Sequence, residues 1–315
     1  MTLTDDILEM KSQNQDKDAG LSGQVSSATM IRRDEPLAKH TTLRVGGPAE
    51  LYVEPANETD LAGVLKFCGE HNIKFFILGR GSNLLVRDGG FRGVVICLAQ
   101  FGYIEIVGER LHCGAGAKLK AIAVEAKRNN LSGVEFLEGI PGSVGGALRM
   151  NAGAMGGATF DAIESVRVMD FNGAVREMTP GEMAVTYRQC GALKDHIALS
   201  AIFKGKSAPP EEIGGRMKSY SEKRWASQPA APSAGCIFKN PETIPAGKLV
   251  EQLGLKGTRV GGAMVSNEHG NFIINDGTAT ARDVLELIQI LKVKAKAERG
   301  IDLQTEVEII GEGEL

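Results

Sequence analysis

The sequence is poor in the features that mark most functional classes. Its five cysteines, Cys68, Cys97, Cys113, Cys190 and Cys236, are odd in number and show no C-x-x-C spacing. Neither a disulfide framework nor a zinc site is expected, and a reducing cytosol fits. The five histidines are scattered without metal-ligand spacing, so no metal is expected. No apolar run approaches the roughly 18 residues of a spanning helix, so no membrane insertion is expected. The start, MTLTDDILEMKSQNQDKDAG, lacks the apolar stretch and cleavage site of a secretion signal. A cytoplasmic protein is the expectation. A dominant charge is missing too, since 39 acids face 36 bases for a net charge of -3. Residues 1–30 carry five acids against two lysines, which leaves the remaining chain neutral. A neutral body lacks the basic stripe of a nucleic-acid binder, so no such partner is expected. The P-loop pattern, G-x-G-x-x-G after a strand, H-E-x-x-H and G-x-S-x-G are all absent.

What the chain has is glycine, 40 of 315 residues, about 13% against a norm near 7%. The glycines are clustered, which marks places where bare backbone approaches something closely. Gly79-Arg80-Gly81-Ser82-Asn83 follows the buried strand KFFIL. Successive amides in such a turn make a concave anion site, although a tight connection with no ligand reads the same way. The second cluster runs from Gly139 through Gly142, Gly145 and Gly146 to Asn151 and Gly153. Its density lets a flat ring or a pyrophosphate lie against the main chain. Together the clusters suggest one large cofactor, with phosphates at one end and a planar ring at the other.

The periodicity predicts an α+β protein. Residues 1–30 read as a mobile extension, at most a short helix near Thr4–Met10. Strands at 51–55, 74–78 and 93–98 and a helix with Leu61, Val64, Leu65 and Cys68 on one face make a first unit over 31–98. Strands near 104–107, 109–114, 163–171, 174–178 and 197–203, with a helix near 118–129, make a second over 99–208. KGKSAPPEE (204–212) reads as a linker. A third unit over 209–303 opens with an amphipathic helix, Glu211–Trp225. It continues with a helix near 247–253, a strand at 272–275 and a long helix behind the Thr280–Asp283 capping box. The segment 304–315 is a last strand placed to return to the earlier units. Four further features point to no chemistry singly: Tyr187-Arg188, the YSEKR run ending at Arg224, Cys236 in SAGCIFKNP and Glu306 in TEVEIIG.

Taken together, LGRGSNLLV, GIPGSVGGALRMNAGA, the TYR of 186–188, SAGCIFKNP, GLKG and TEVEIIG resemble the UDP-N-acetylenolpyruvoylglucosamine reductase family. The resemblance runs from residue 40 to the end, in the family's order and spacing. Compact spacing resembles its shorter subclass. It implies an FAD-binding fold of the vanillyl-alcohol-oxidase (PCMH) type in two subdomains, with a third α+β domain for the substrate. It implies FAD as cofactor, NADPH as reductant, and a small UDP-sugar as partner of a monomer. Carried over by motif, Thr42, Val45, Gly46, Arg80, Gly81, Ser82, Asn83, Gly145, Gly146, Asn151 and Gly153 lie at the cofactor. Tyr187, Arg224, Lys239 and Asn240 lie at the substrate. Arg188 and Glu306 match the residues that stabilise charge on the substrate carboxylate. Cys236 stands where the family motif commonly has a serine proton donor. A thiol is a stronger acid than a hydroxyl and still mostly protonated at neutral pH. The competing expectations are an FAD-dependent oxidase of the same fold acting on a sugar or lactone, and a nucleotide-binding module without activity. Neither glycine cluster holds the histidine to which such oxidases often attach FAD, and a mere binder has no need of Arg188, Cys236 and Glu306 together.

Overall fold

The computed structural model describes residues 20–313, whose three larger sheets, of four or five strands, each carry their own helices, beside four two-stranded pairings. The first sheet has the order Met30–Pro36, Pro48–Glu54, Phe91–Cys97, Phe75–Leu78. Its last three strands are parallel. The helix Glu58–Glu70 supplies the crossover that parallel strands require. It starts where the Asn57 side chain accepts the Asp60 amide, and it buries Leu61, Val64, Leu65 and Cys68 on the expected face.

The loose extension expected over 1–30 lies mostly outside the described residues, as does the short helix at Thr4–Met10. From residue 20 onward the expectation is corrected. Leu21 is fully buried in the first core, and the Ser26 and Thr29 hydroxyls donate to the Asp60 carboxylate at 2.6 and 2.7 Å. Burying a leucine stabilises by roughly 2 kcal/mol, enough to hold a short segment down.

The second sheet is antiparallel, in the order Val175–Met178, Ile163–Asp170, His196–Lys204, Arg110–Gly114, Ile104–Val107. The helices Leu119–Arg128 and Val144–Arg149 close its core. The helix Pro210–Ser227 begins as sequence rules favour, with proline at its start and Glu211 and Glu212 in its first turn. It was expected to open the third unit, but it packs on the second. Arg216 donates to buried Glu135 at 2.9 Å and to Ser132 at 3.0 Å, while Met217 and Tyr220 lie on the second core. The amphipathic pattern announces a helix with one sticky face and is silent on which core receives it. The expected linker is also partly ordered, because Lys206–Ser207 pairs with Leu131–Ser132.

The third sheet has the order Ser233–Cys236, Phe272–Asn275, Ala263–Val265, Arg259–Val260. The helix Ala281–Arg299 covers it, with Val284, Leu287, Ile288 and Leu291 buried and the Thr280–Asp283 capping box formed. Asp88 of the first unit reaches the same helix end and accepts the amides of Ala281 and Arg282, both at 2.9 Å. The strand Glu308–Ile310 leaves the third unit and pairs in parallel with Leu84–Val86 of the first. No helix among the described residues is long and apolar enough to cross a membrane.

Candidate active site

A cleft of about 1010 Å³ opens where the three units meet. Cys236, Arg188 and Glu306 all line it, each brought by a different element. Cys236 ends the strand Ser233–Cys236, opposite Phe272. Glu306 is fixed through its main chain. Its amide donates to Ile237 at 2.8 Å, and its carbonyl accepts the Asn83 side-chain amide at 3.0 Å. Arg188 sits in the two-residue turn of the hairpin that pairs Val185-Thr186 with Gln189-Cys190. Its φ of 56° is left-handed, a conformation that non-glycine residues hold only where surroundings enforce it.

Arg188 Nε lies 3.1 Å from Glu306 Oε1. The contact is an ion pair rather than an aligned hydrogen bond, because Nε is buried with no hydrogen-bond partner among the described residues. Burial pushes the Glu306 carboxyl above its ordinary value, against the opposing pull of Arg188 and Lys239. Burial likewise pushes the Cys236 thiol up to about 11, with the Glu306 charge adding to it and Arg188 opposing. A proton-holding thiol and a carboxyl biased toward its neutral form thus face one space with a guanidinium. One step along the strand, Arg149 and Glu308 form a second pair at 2.8 Å, and Arg149 also borders the cleft.

The expected cofactor residues divide. Thr42, Arg80, Ser82, Gly145, Gly146 and Gly153 line the cleft, and Gly81 and Asn83 line a contiguous recess of about 200 Å³. Thr42 also joins units, since its hydroxyl donates to the Ser233 carbonyl at 2.6 Å. Val45 and Gly46 do not reach the cleft. Val45 is buried in the third core, and a Cβ on Gly46 would lie 2.6 Å from the Val86 side chain. Asn151 stands behind the wall, where its side chain bonds the Thr186 carbonyl and the Phe160 amide and so ties the glycine loop to the Arg188 hairpin. Of the expected substrate residues only Arg224 lines the cleft. Tyr187 points out at the hairpin tip, 60% exposed, with its ring 5.3 Å from the Arg188 guanidinium carbon. Lys239 is exposed, and Asn240 accepts the Ala246 amide at a helix start.

The glycines explain part of this division. Gly81, with φ of 59°, has the His40 carbonyl 2.3 Å from where a Cβ would sit, so protein fills that space. A Cβ on Gly139 would meet nothing within 4 Å, and one on Gly146 only Ser143 Oγ at 3.8 Å. Those two present bare main chain to the cleft, a cradle that suits a flat ring. The cleft also has walls that sequence reasoning passed over, among them His40, stacked on Tyr52 at 4.4 Å, together with Lys39, Lys118, Trp225 and Gln228. The basic residues carried no motif of their own, and Trp225 stood one place beyond the run that was singled out.

Two family models match the chain. The C-terminal domain of UDP-N-acetylenolpyruvoylglucosamine reductase matches residues 228–310, and an FAD binding domain matches residues 49–179. The reductase of Clostridium novyi is 42% identical over 284 residues, covering 90% of this chain and 92% of that protein. The reductase of Clostridium tetani is 42% identical over 90% of this chain and 94% of that protein. The crystal structure of the reductase from Thermus caldophilus covers 89% of this chain and 98% of its own, at 39% identity and a TM-score of 0.78. Wild-type Phl p 4.0202, a glucose dehydrogenase, shares the fold at a TM-score of 0.51 and 12% identity. With relatives 42% identical over nine tenths of its length and a solved reductase of the same fold, the chain belongs to the UDP-N-acetylenolpyruvoylglucosamine reductase family.

Proposed function

We propose that this protein reduces UDP-N-acetylglucosamine enolpyruvate to UDP-N-acetylmuramate, a step in making the peptidoglycan precursor, with bound FAD and with NADPH as reductant. The observation that carries this reading is the meeting of Cys236, Arg188 and Glu306 in one cleft walled by bare glycine backbone. The FAD fits residues of the first two units. Gly139 and Gly146 offer main chain to its ring, and the Arg80–Asn83 turn with Arg80 offers charge and donors to its pyrophosphate. When bound, FAD supplies hydride to the β carbon of the enolpyruvyl group.

The protein's own groups handle charge and protons. Arg188, which lines the cleft, sets its guanidinium charge against the substrate carboxylate, where negative charge grows as the double bond is reduced. Glu306, in its neutral form, donates a hydrogen bond to the same carboxylate. Cys236 gives its Sγ proton to the α carbon and recovers it from solvent after the product leaves. Arg224 holds diphosphate oxygens. In this division of labour, residues 31–98 and the unit ending at 227 hold the cofactor. Residues 228–303 close over the nucleotide, and the returning strand carries Glu306. A monomer acting in the cytoplasm goes with this reading.

Anaerobic titration of the FAD-loaded protein tests it. NADPH is expected to bleach the flavin, and the enolpyruvyl substrate to restore its colour. Reduced protein that ignores this substrate yet reoxidises quickly with oxygen overturns the reading in favour of an oxidase.

A further inference from the structure

Trp225 is the only tryptophan in the chain and is left 61% exposed near the end of the helix Pro210–Ser227. Exposure of a single aromatic ring is ordinary, and its position is what distinguishes this one. This one borders the cleft that holds Cys236, Arg188 and Glu306. Arg224 lies against it, with the guanidinium carbon 5.5 Å from the ring centroid, within cation–π range. Arg224 also borders the cleft, and its side chain makes no ion pair or hydrogen bond among the described residues. A guanidinium held by an aromatic ring and by no carboxylate keeps its N–H groups for phosphate oxygens. From Trp225 the chain runs along the same wall through Gln228, Pro232 and Gly235 to Cys236. A flat hydrophobic face, a free cation and the proton donor thus follow one another along one stretch of chain. The FAD cradle, by contrast, comes from the turns at 79–83 and 139–146.

We propose that Trp225 is a specificity-determining residue, its open indole face stacking on the nucleobase of a nucleoside diphosphate-linked substrate while Arg224 holds the diphosphate. The proposal rests on the function given above and deepens it by placing the nucleotide end of the substrate. The shared chemistry, a planar base beside phosphates, also belongs to FAD and to NADPH, and the test separates the three.

The lone indole serves as its own reporter. In the FAD-loaded protein, UDP is expected to quench the Trp225 emission saturably, and ribose 5-phosphate, which lacks a base, is expected not to. Trp225→Ala should raise KM for the enolpyruvyl substrate about tenfold, as loss of a base–aromatic stack does. Trp225→Phe should stay near the parent value. FAD content, kcat and the rate of flavin reduction by NADPH should be unchanged in both. Loss of FAD, a change confined to NADPH, or no quench by UDP overturns the proposal. Should the parent protein fail to turn over the enolpyruvyl substrate, the proposed function falls, and the UDP titration still decides whether the indole seats a base.

Discussion

Cys236 holds its proton across the whole neutral range, because burial and the neighbouring Glu306 charge push its pKa up to about 11. Cys236→Ala is expected to slow turnover by about 10²–10⁴ while flavin reduction by NADPH continues, and Cys236→Ser to restore much of the loss. Stopped-flow measurement of the two half-reactions checks both. The thiol contributes no pH limb between about 6 and 9 on this basis. Glu306 contributes one of defined sign. Its pKa is raised, and the proposed mechanism uses its neutral form as donor, so activity is expected below the folded pKa and is expected to be lost as pH rises through it. Glu306→Gln, which is neutral at every pH, is expected to flatten that limb at a lower plateau in a pH profile of flavin reoxidation. The motifs singled out Arg188, Cys236 and Glu306, and the fold brings the three to one cleft. The reach of Arg188 was not, because a Tyr-Arg pair gives no sign of a left-handed turn. Nor does a glycine reveal what occupies the space its missing side chain leaves. At Gly139 that space is open cleft, and at Gly46 it is Val86.

Among elements, the helix Ala281–Arg299 was legible down to its capping box, since Thr280 and Asp283 are neighbours in sequence. Its second cap was not, because Asp88 comes from another unit. Asp88→Ala is expected to cost about 1 kcal/mol in denaturant melts, as lost caps do. Asp60 plays a comparable part for residues 20–29. Burial pushes its pKa up, but the Ser26 hydroxyl and amide, the Thr29 hydroxyl and the Ala56 amide outweigh that and hold it below the ordinary 3.8. A depressed pKa stabilises above the ordinary value, and the contribution fades as pH falls through the folded one. The protection of amides over 20–29, relative to the intrinsic exchange rate at each pH, is therefore expected to fall below about pH 4, and Asp60→Asn to lower it already at neutral pH. The helix Pro210–Ser227 marks where element reading ends. Its periodicity was plain, but its attachment rests on Arg216 meeting Glu135, two residues far apart in the chain.

At the scale of the whole molecule, alternating strand and helix patterns suggested three units, though the helix Pro210–Ser227 lies on the second core rather than opening the third, and the last strand was legible as a strand. Its partner was not, since pairing across most of a chain leaves no local trace. That pairing joins Glu308–Ile310 to Leu84–Val86, and Asn83 bonds the Glu306 carbonyl across the same seam. Contacts so distant along a chain are entropically the slowest to find. When the denatured protein is diluted into buffer, helical signal is expected to return in an early kinetic phase, and competence for turnover only in the final one. Between the two phases the expected population has its helices but not yet the seam that carries Glu306 to the cleft.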